Sequence, residues 1–303
     1  MKIGLLQVDG KYPNLALMKL ATWHKKQGDE VHFYQPIDGV QYDRVYASKV
    51  FDFTPDYQYP ITADEIVRGG TAYSITDKLP EAVEHTCPDY QMFECDYAMG
   101  FTSRGCIRNC SFCLVPRKEG KIEAVADIYE FWKEQKFLRL LDNNLTALPE
   151  HFMKITQQMI DEGVKVDFSQ GLDLRLITPE MARRLSKVKL WKAVHFAFDN
   201  VKDEKAVMNG LAILKDNGVK MYNVMVYVMI GFNSTPEEDL YRCEVLRETG
   251  AMPFVMPFNK FDPYQKAFTR WANHKAIFKT VKWEDYNGKA ACEKANELKG
   301  AGE

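Results

Sequence analysis

The stretch Gly100-Phe101-Thr102-Ser103-Arg104-Gly105-Cys106-Ile107-Arg108-Asn109-Cys110-Ser111-Phe112-Cys113 carries three cysteines in a C-x3-C-x2-C run. A C-x2-C step turns the backbone back on itself and brings two sulfurs within reach of one centre, and the preceding C-x3-C step adds a third. Three thiolates on one short loop repel one another unless a cation lies between them. Structural zinc normally takes four closed ligands, and no second pair follows at zinc-finger spacing. An iron-sulfur cube ordinarily takes four thiolates as well, so three cysteines leave one iron open to a further ligand. Spacing alone leaves both metals in play.

With an aromatic residue, Phe112, directly before the last cysteine, the run resembles the signature of the radical S-adenosylmethionine (radical SAM) enzymes. The resemblance implies that Cys106, Cys110 and Cys113 hold a [4Fe-4S] cluster whose fourth iron is chelated by the amino and carboxylate groups of SAM. One electron, from a donor such as a flavodoxin or ferredoxin, would then cleave SAM to methionine and a 5'-deoxyadenosyl radical that abstracts hydrogen from an unidentified substrate. Radical chemistry of this kind belongs to the cofactor, and the protein supplies position and exclusion of water.

A loop of this kind must be held by elements. The chain has 303 residues, enough for two domains of ordinary size, and its 46% hydrophobic content suffices for their cores. The formal net charge of -2 gives no global pull toward nucleic acid or an acidic membrane. The apolar run from Met1 to Asp9 is too short for a signal peptide. No window approaches the roughly 20 apolar residues that a membrane span needs. Seven cysteines, an odd count with three clustered, fit a reducing compartment better than a disulfide framework. The expected location is cytoplasmic.

Residues 1–95 read as a small α/β unit: strands over Ile3 to Val8, Val31 to Tyr34 and Arg44 to Val50, with a helix from Asn14 to Gln27 ended by Gly28. This order is similar to the Rossmann-like, cobalamin-binding-type domain that precedes the core in one large branch of radical SAM enzymes. The histidine loop of that domain is missing, since Asp9-Gly10-Lys11-Tyr12-Pro13-Asn14 has no histidine, so a lower-ligated cobalamin is not expected. Gly69-Gly70-Thr71 is a weak phosphate-loop candidate and more often a turn. Cys87 and Cys95 read as ordinary thiols, because two fall short of the four that a further cluster would take.

Residues 96–260 alternate strand and helix. Strands are expected over Tyr97 to Thr102, Phe137 to Leu141, Val164 to Phe168, Ala193 to Phe198, Met221 to Ile230 and Phe254 to Phe258. Helices are expected over Val125 to Gln135, Pro149 to Glu162, after Thr178, before Gly218 and after Thr235. Six steps argue a parallel sheet curling into a partial (β/α)6, TIM-like barrel, which is also the core that the resemblance implies. In such folds the working groups sit at the carboxyl ends of strands.

Asp142-Asn143-Asn144, after the second strand, resembles a variant of the family segment that holds the SAM amino group. After the third strand come Gln170, Asp173 and Arg175. Arg175 is the candidate for the SAM carboxylate, with the alternative that Asp173 and Arg175 only brace the loop. Asp199 ends the fourth strand, and Ile230 matches an isoleucine that packs on adenine in the family. Met221, Met225, Tyr227, Met229 and His195 read as core.

Residues 261–303 read as a C-terminal helical extension, with Lys266, Arg270, Lys275, Lys279 and Lys282 interleaved with Phe268, Trp271, Phe278 and Trp283. Such a segment can stack on single-stranded nucleic acid, or it can be an amphipathic cover with its lysines in solvent, which is the favoured reading. A nucleic-acid- or peptide-modifying methylase or methylthiotransferase is the alternative function. A non-enzymatic iron-sulfur or zinc protein is the alternative of another class.

Overall fold

The computed structural model describes residues 1–37 and 39–288, so the last part of the expected C-terminal extension, 289–303, lies outside the described residues. The chain divides into two compact units, Met1–Asn143 and Asn144–Glu303, each of mixed α/β construction with parallel strands.

The first unit opens with β1 (Lys2–Gln7), α1 (Leu15–Lys26), β2 (Glu30–Phe33), β3 (Tyr42–Ser48) and β4 (Ala63–Gly69). The four strands form one parallel sheet in the order β2-β1-β3-β4. Asn14 caps α1 by accepting from the Leu17 N–H, and the helix buries Leu17, Leu20 and Ala21 against Ile3 and Leu5 of β1. The sequence reading contains no strand at β4. Asp64, Glu65 and Arg68 interrupt any apolar run there, as suits an edge strand that must resist further pairing. Gly69 ends β4 and Gly70 turns the chain away from it: Gly70 has φ +95°, and a Cβ there would lie 2.3 Å from the Lys49 carbonyl oxygen.

The rest of this unit carries the short helix α2 (Glu81–Glu84), β5 (Ala98–Gly100), β6 (Ser103–Arg104), the short helix α3 (Val115–Lys118), β7 (Glu123–Ala124) and β8 (Phe137–Leu140). Strands β5 and β8 pair in parallel, while β6 and β7 form an antiparallel ribbon. The helix expected over Val125 to Gln135 is only a 3-10 turn at Ile128–Glu130. The Thr102 carbonyl takes the N–H groups of Val125 (2.9 Å) and Ala126 (3.2 Å), which keeps the chain on the ribbon until Asp127 caps that turn.

The second unit alternates α4 (Pro149–Glu162), β9 (Lys165–Phe168), α5 (Pro179–Leu185), β10 (Val194–Ala197), α6 (Glu204–Asp216), β11 (Val224–Ile230), α7 (Pro236–Thr249) and β12 (Met252–Pro257). Strands β10, β11 and β12 are parallel neighbours in that order. The expected start of β11 at Met221 is corrected: Met221–Asn223 is a 3-10 turn. The core reading of the methionines is corrected too. Val224, Val226, Val228 and Ile230 are the buried side of β11, and Met225, Tyr227 and Met229 lie half-buried on the opposite side. His195 pairs in register with Met225, and its ring stacks on Tyr227 at 5.1 Å.

Helices α8 (Pro263–Asn273) and α9 (Lys275–Thr280) follow, and they bury Phe268, Trp271 and Phe278, with Trp283 just beyond. Lys266, Arg270, Lys275, Lys279 and Lys282 are exposed. No helix among the described residues is long and apolar enough to cross a membrane.

Candidate metal centre

The cysteine run leaves β6 and returns to β7, so the antiparallel ribbon is the neck of a loop. Gly105 makes the exit: it has φ +81°, and a Cβ would fall 2.3 Å from the Lys121 carbonyl oxygen. Cys106, Cys110, Phe112 and Cys113 are all half-buried on this loop. The Cys106 Sγ accepts from the Arg108 N–H at 3.3 Å and the Cys113 Sγ from the Val115 N–H at 3.4 Å. The Cys113 N–H donates to the Cys110 carbonyl at 2.9 Å, closing the C-x2-C turn. Among the described residues no three His, Cys, Asp or Glu side chains are gathered closely enough to hold a metal ion.

Asp142 is buried and faces the neck. Its carboxylate accepts from the backbone N–H and hydroxyl of Thr102, with the hydroxyl at 2.7 Å, and from the N–H and hydroxyl of Ser103 at 2.5 and 2.6 Å. Burial pushes this carboxyl up, against the pull of those donors. Such an acid is a latch on the chain entering the cysteine loop. Its neighbour Asn143 donates through Nδ2 to Glu119 at 2.6 Å.

In the second unit, three expected residues, Asn144, Asp173 and Arg175, lie on one polar chain. Asn144 accepts from the Thr146 hydroxyl at 2.8 Å, and that hydroxyl accepts from the Asp173 N–H at 3.0 Å. Asp173 takes two bonds from the Arg175 guanidinium, at 2.7 and 3.0 Å, and Asp203 takes a third at 2.7 Å. Arg175 is thus paired with two carboxylates, Asp173 and Asp203. Asp199 accepts from the Met229 N–H at 3.0 Å, and burial raises its carboxyl. Gln170 is exposed in the turn after β9, and Ile230 is fully buried beside Val228.

No protein-family model matches the chain. Over 104 residues it is 25% identical to the ribosomal protein uS12 methylthiotransferase RimO of Colwellia psychrerythraea strain 34H. That match takes in 34% of this chain and 22% of the relative, so it spans about a fifth of that protein's length. Among solved structures, the fold is similar to TsrM of Kitasatospora setae, a radical SAM methyltransferase solved with cobalamin and a [4Fe-4S] cluster bound. The TM-score is 0.60 at 12% identity, covering 84% of this chain and 74% of that one. In fold, then, the chain is similar to a radical SAM methyltransferase.

The cysteine loop fits the cluster that the sequence resemblance implies in the chemistry of its donors. Three thiols on one half-buried loop, two of them already accepting backbone N–H groups, are a donor set that suits an iron-sulfur cluster, whose sulfurs are tuned by such bonds. By contrast, Cys87 and Cys95 are thiols pushed up by burial, with Cys95 donating to the Tyr97 carbonyl at 3.2 Å. Cobalamin stands differently from its sequence expectation. TsrM is described with cobalamin bound, so the expectation that cobalamin is absent is not supported.

Sequence reasoning missed Glu119, Arg104 and Glu84. Arg104 spans the two acids, donating to Glu84 at 2.6 Å and Glu119 at 3.2 Å, with its guanidinium 3.5 Å from the Phe101 ring centre. The only signal was an acid directly before Gly120, outside any recognisable motif.

Proposed function

We propose that this protein is a radical SAM enzyme that uses a [4Fe-4S] cluster on Cys106, Cys110 and Cys113 to cleave SAM and start radical chemistry on a substrate. The half-buried three-cysteine loop with two N–H···S bonds carries this reading. When bound, cluster and SAM supply the 5'-deoxyadenosyl radical. The chain supplies the rest: Phe112 shields the last cysteine, Asp142 holds the loop entrance, and Asn143 and Asn144 offer amide groups to the SAM amino group. Asp173 and Arg175 brace the strand end beside them in sequence, while Asp199, Gln170 and Ile230 complete the assigned set. We assign residues 96–260 to a partial (β/α)6 barrel, 1–95 to a Rossmann-like domain and 261–303 to a helical extension.

The similarity to a methyltransferase and to a methylthiotransferase favours transfer of a one-carbon or methylthio group over simple hydrogen abstraction. A cobalamin role fits the first unit in one respect. Strand order β2-β1-β3-β4 places a topological switch point between β1 and β3, where ligands bind at carboxyl ends. There Phe51 and Phe53 are exposed and pack on each other at 5.3 Å. Both Asp9 oxygens are occupied by the Val50 and Phe51 N–H groups and the Thr54 hydroxyl. Apolar contact, not axial ligation from this loop, would hold a corrin there.

Anaerobic reconstitution, followed by dithionite and SAM, tests the central reading. The wild-type protein is expected to release 5'-deoxyadenosine and Cys110→Ala to release none. Full cluster loading and equal product from Cys110→Ala would refute it, and zinc in place of iron after purification from metal-replete cells would favour a non-enzymatic metal site.

A further inference from the structure

Glu119 joins three parts of the first unit that the cysteine motif does not mention. Its Oε2 accepts from the Gly105 N–H at 3.1 Å, the residue directly before Cys106. The same oxygen accepts from Asn143 Nδ2 at 2.6 Å, and Oε1 accepts from Arg104 at 3.2 Å. An ionised carboxylate accepts only, so it dictates which end of the Asn143 amide turns toward it. With Nδ2 committed to Glu119, the carbonyl oxygen Oδ1 becomes the free end of that side chain. An ammonium group such as that of SAM donates and cannot accept, so Oδ1 is the end it requires. Arg104, balanced by both Glu84 and Glu119, holds the carboxylate in place.

We propose that Glu119 is a positioning residue: it ties the start of the cysteine loop to Asn143 and orients the Asn143 amide to receive the SAM amino group. The proposal rests on the radical SAM reading above for its ligand, though not for the neck of the loop itself.

Two measurements separate these. Hydrogen exchange on the protein without cluster reads the neck: Glu119→Ala is expected to speed exchange at the Gly105 and Cys106 amides at least about tenfold, with the β1 amides unchanged as an internal check on folding. Exchange at wild-type rates would overturn the proposal whatever the loading. The reduced, reconstituted protein is then titrated with SAM while the cluster's EPR signal is followed. Glu119→Ala and Asn143→Ala are each expected to raise the SAM concentration for half-change at least about tenfold while iron content stays at the wild-type level. The double variant is expected to be no worse than either single one, since both break the same contact. Additive losses, an unshifted titration in Glu119→Ala, or loss of iron in both Glu119→Ala and Glu119→Gln would overturn the positioning role. A wild-type protein that loads a cluster but shows no response to SAM would overturn the ligand half and the enzyme reading together, with the exchange result left standing for the neck.

Discussion

Asp142 illustrates how much one carboxylate can organise when it is placed under a loop. Its oxygens take both backbone and hydroxyl donors from Thr102 and Ser103, the two residues at the threshold of the ribbon. Removing the acid strands those buried donors. Asp142→Ala is expected to cost about 3 kcal/mol, because each unsatisfied buried polar group costs roughly 1–3 kcal/mol and the pocket admits partial rescue by water. Urea unfolding followed by circular dichroism checks it, and a loss under about 0.5 kcal/mol would show that the latch does not matter. Asp142 was legible in the sequence as a residue of interest because it ends a strand, but its task was not. The sequence resemblance gave it to SAM, whereas the fold gives all of its hydrogen bonds to the chain entering the cysteine loop. A side chain's address can be read from local pattern; its partners at Thr102 and Ser103 are some forty positions away and leave no local trace.

At the scale of elements, the helices whose ends are written in capping chemistry fell where the sequence put them. Thr178 accepts from the Met181 N–H, Thr235 and Glu238 form a capping box, and Gly163 and Gly250 end α4 and α7 in the left-handed conformation. Where a helix was expected after the cysteine loop, the Val125 and Ala126 N–H groups instead tie the chain to the Thr102 carbonyl beside the ribbon. That tie is tertiary and invisible to periodicity. Arg242 of α7 is a second tertiary device. Fully buried, it donates to the Phe198 carbonyl at 3.0 Å and the Met229 carbonyl at 2.9 Å, and it pairs with Asp239 at 2.6 Å. It thereby pins α7 to the ends of β10 and β11, beside Asp199. Arg242→Met is expected to destabilise by about 3–5 kcal/mol because it leaves Asp239 buried without its cation. Adding Asp239→Asn should recover part of that loss in the same thermal or urea measurement. If the double variant is no more stable than the single one, the charge left behind is not the cause.

Across the whole molecule, charge and aromatic content give little away: a net charge of -2 is compatible with almost any partner. The tail is where that ambiguity sharpens, because basic and aromatic residues interleave there as they do in nucleic-acid binders. In the structure the two kinds separate. Phe268, Trp271 and Phe278 are at most 1% exposed, and Trp271 donates its indole N–H to the Val281 carbonyl at 2.9 Å. Rings packed in this way are a core and offer no face on which a base could stack. The cations on the other side are solvated. Trp271→Ala is therefore expected to cost about 3–5 kcal/mol, as large-to-small changes at buried aromatics do. Neutralising Lys275 and Lys279 together should shift stability by less than ~0.5 kcal/mol. The same pair of variants also bears on partners. Filter binding of single-stranded RNA at 50 and 200 mM salt is expected to give the same weak retention for the wild type and the Lys275→Ala/Lys279→Ala protein. A clear drop in retention, with a shallower salt dependence in the variant, would show that phosphate contacts run through these lysines and would make a nucleic acid the substrate to pursue.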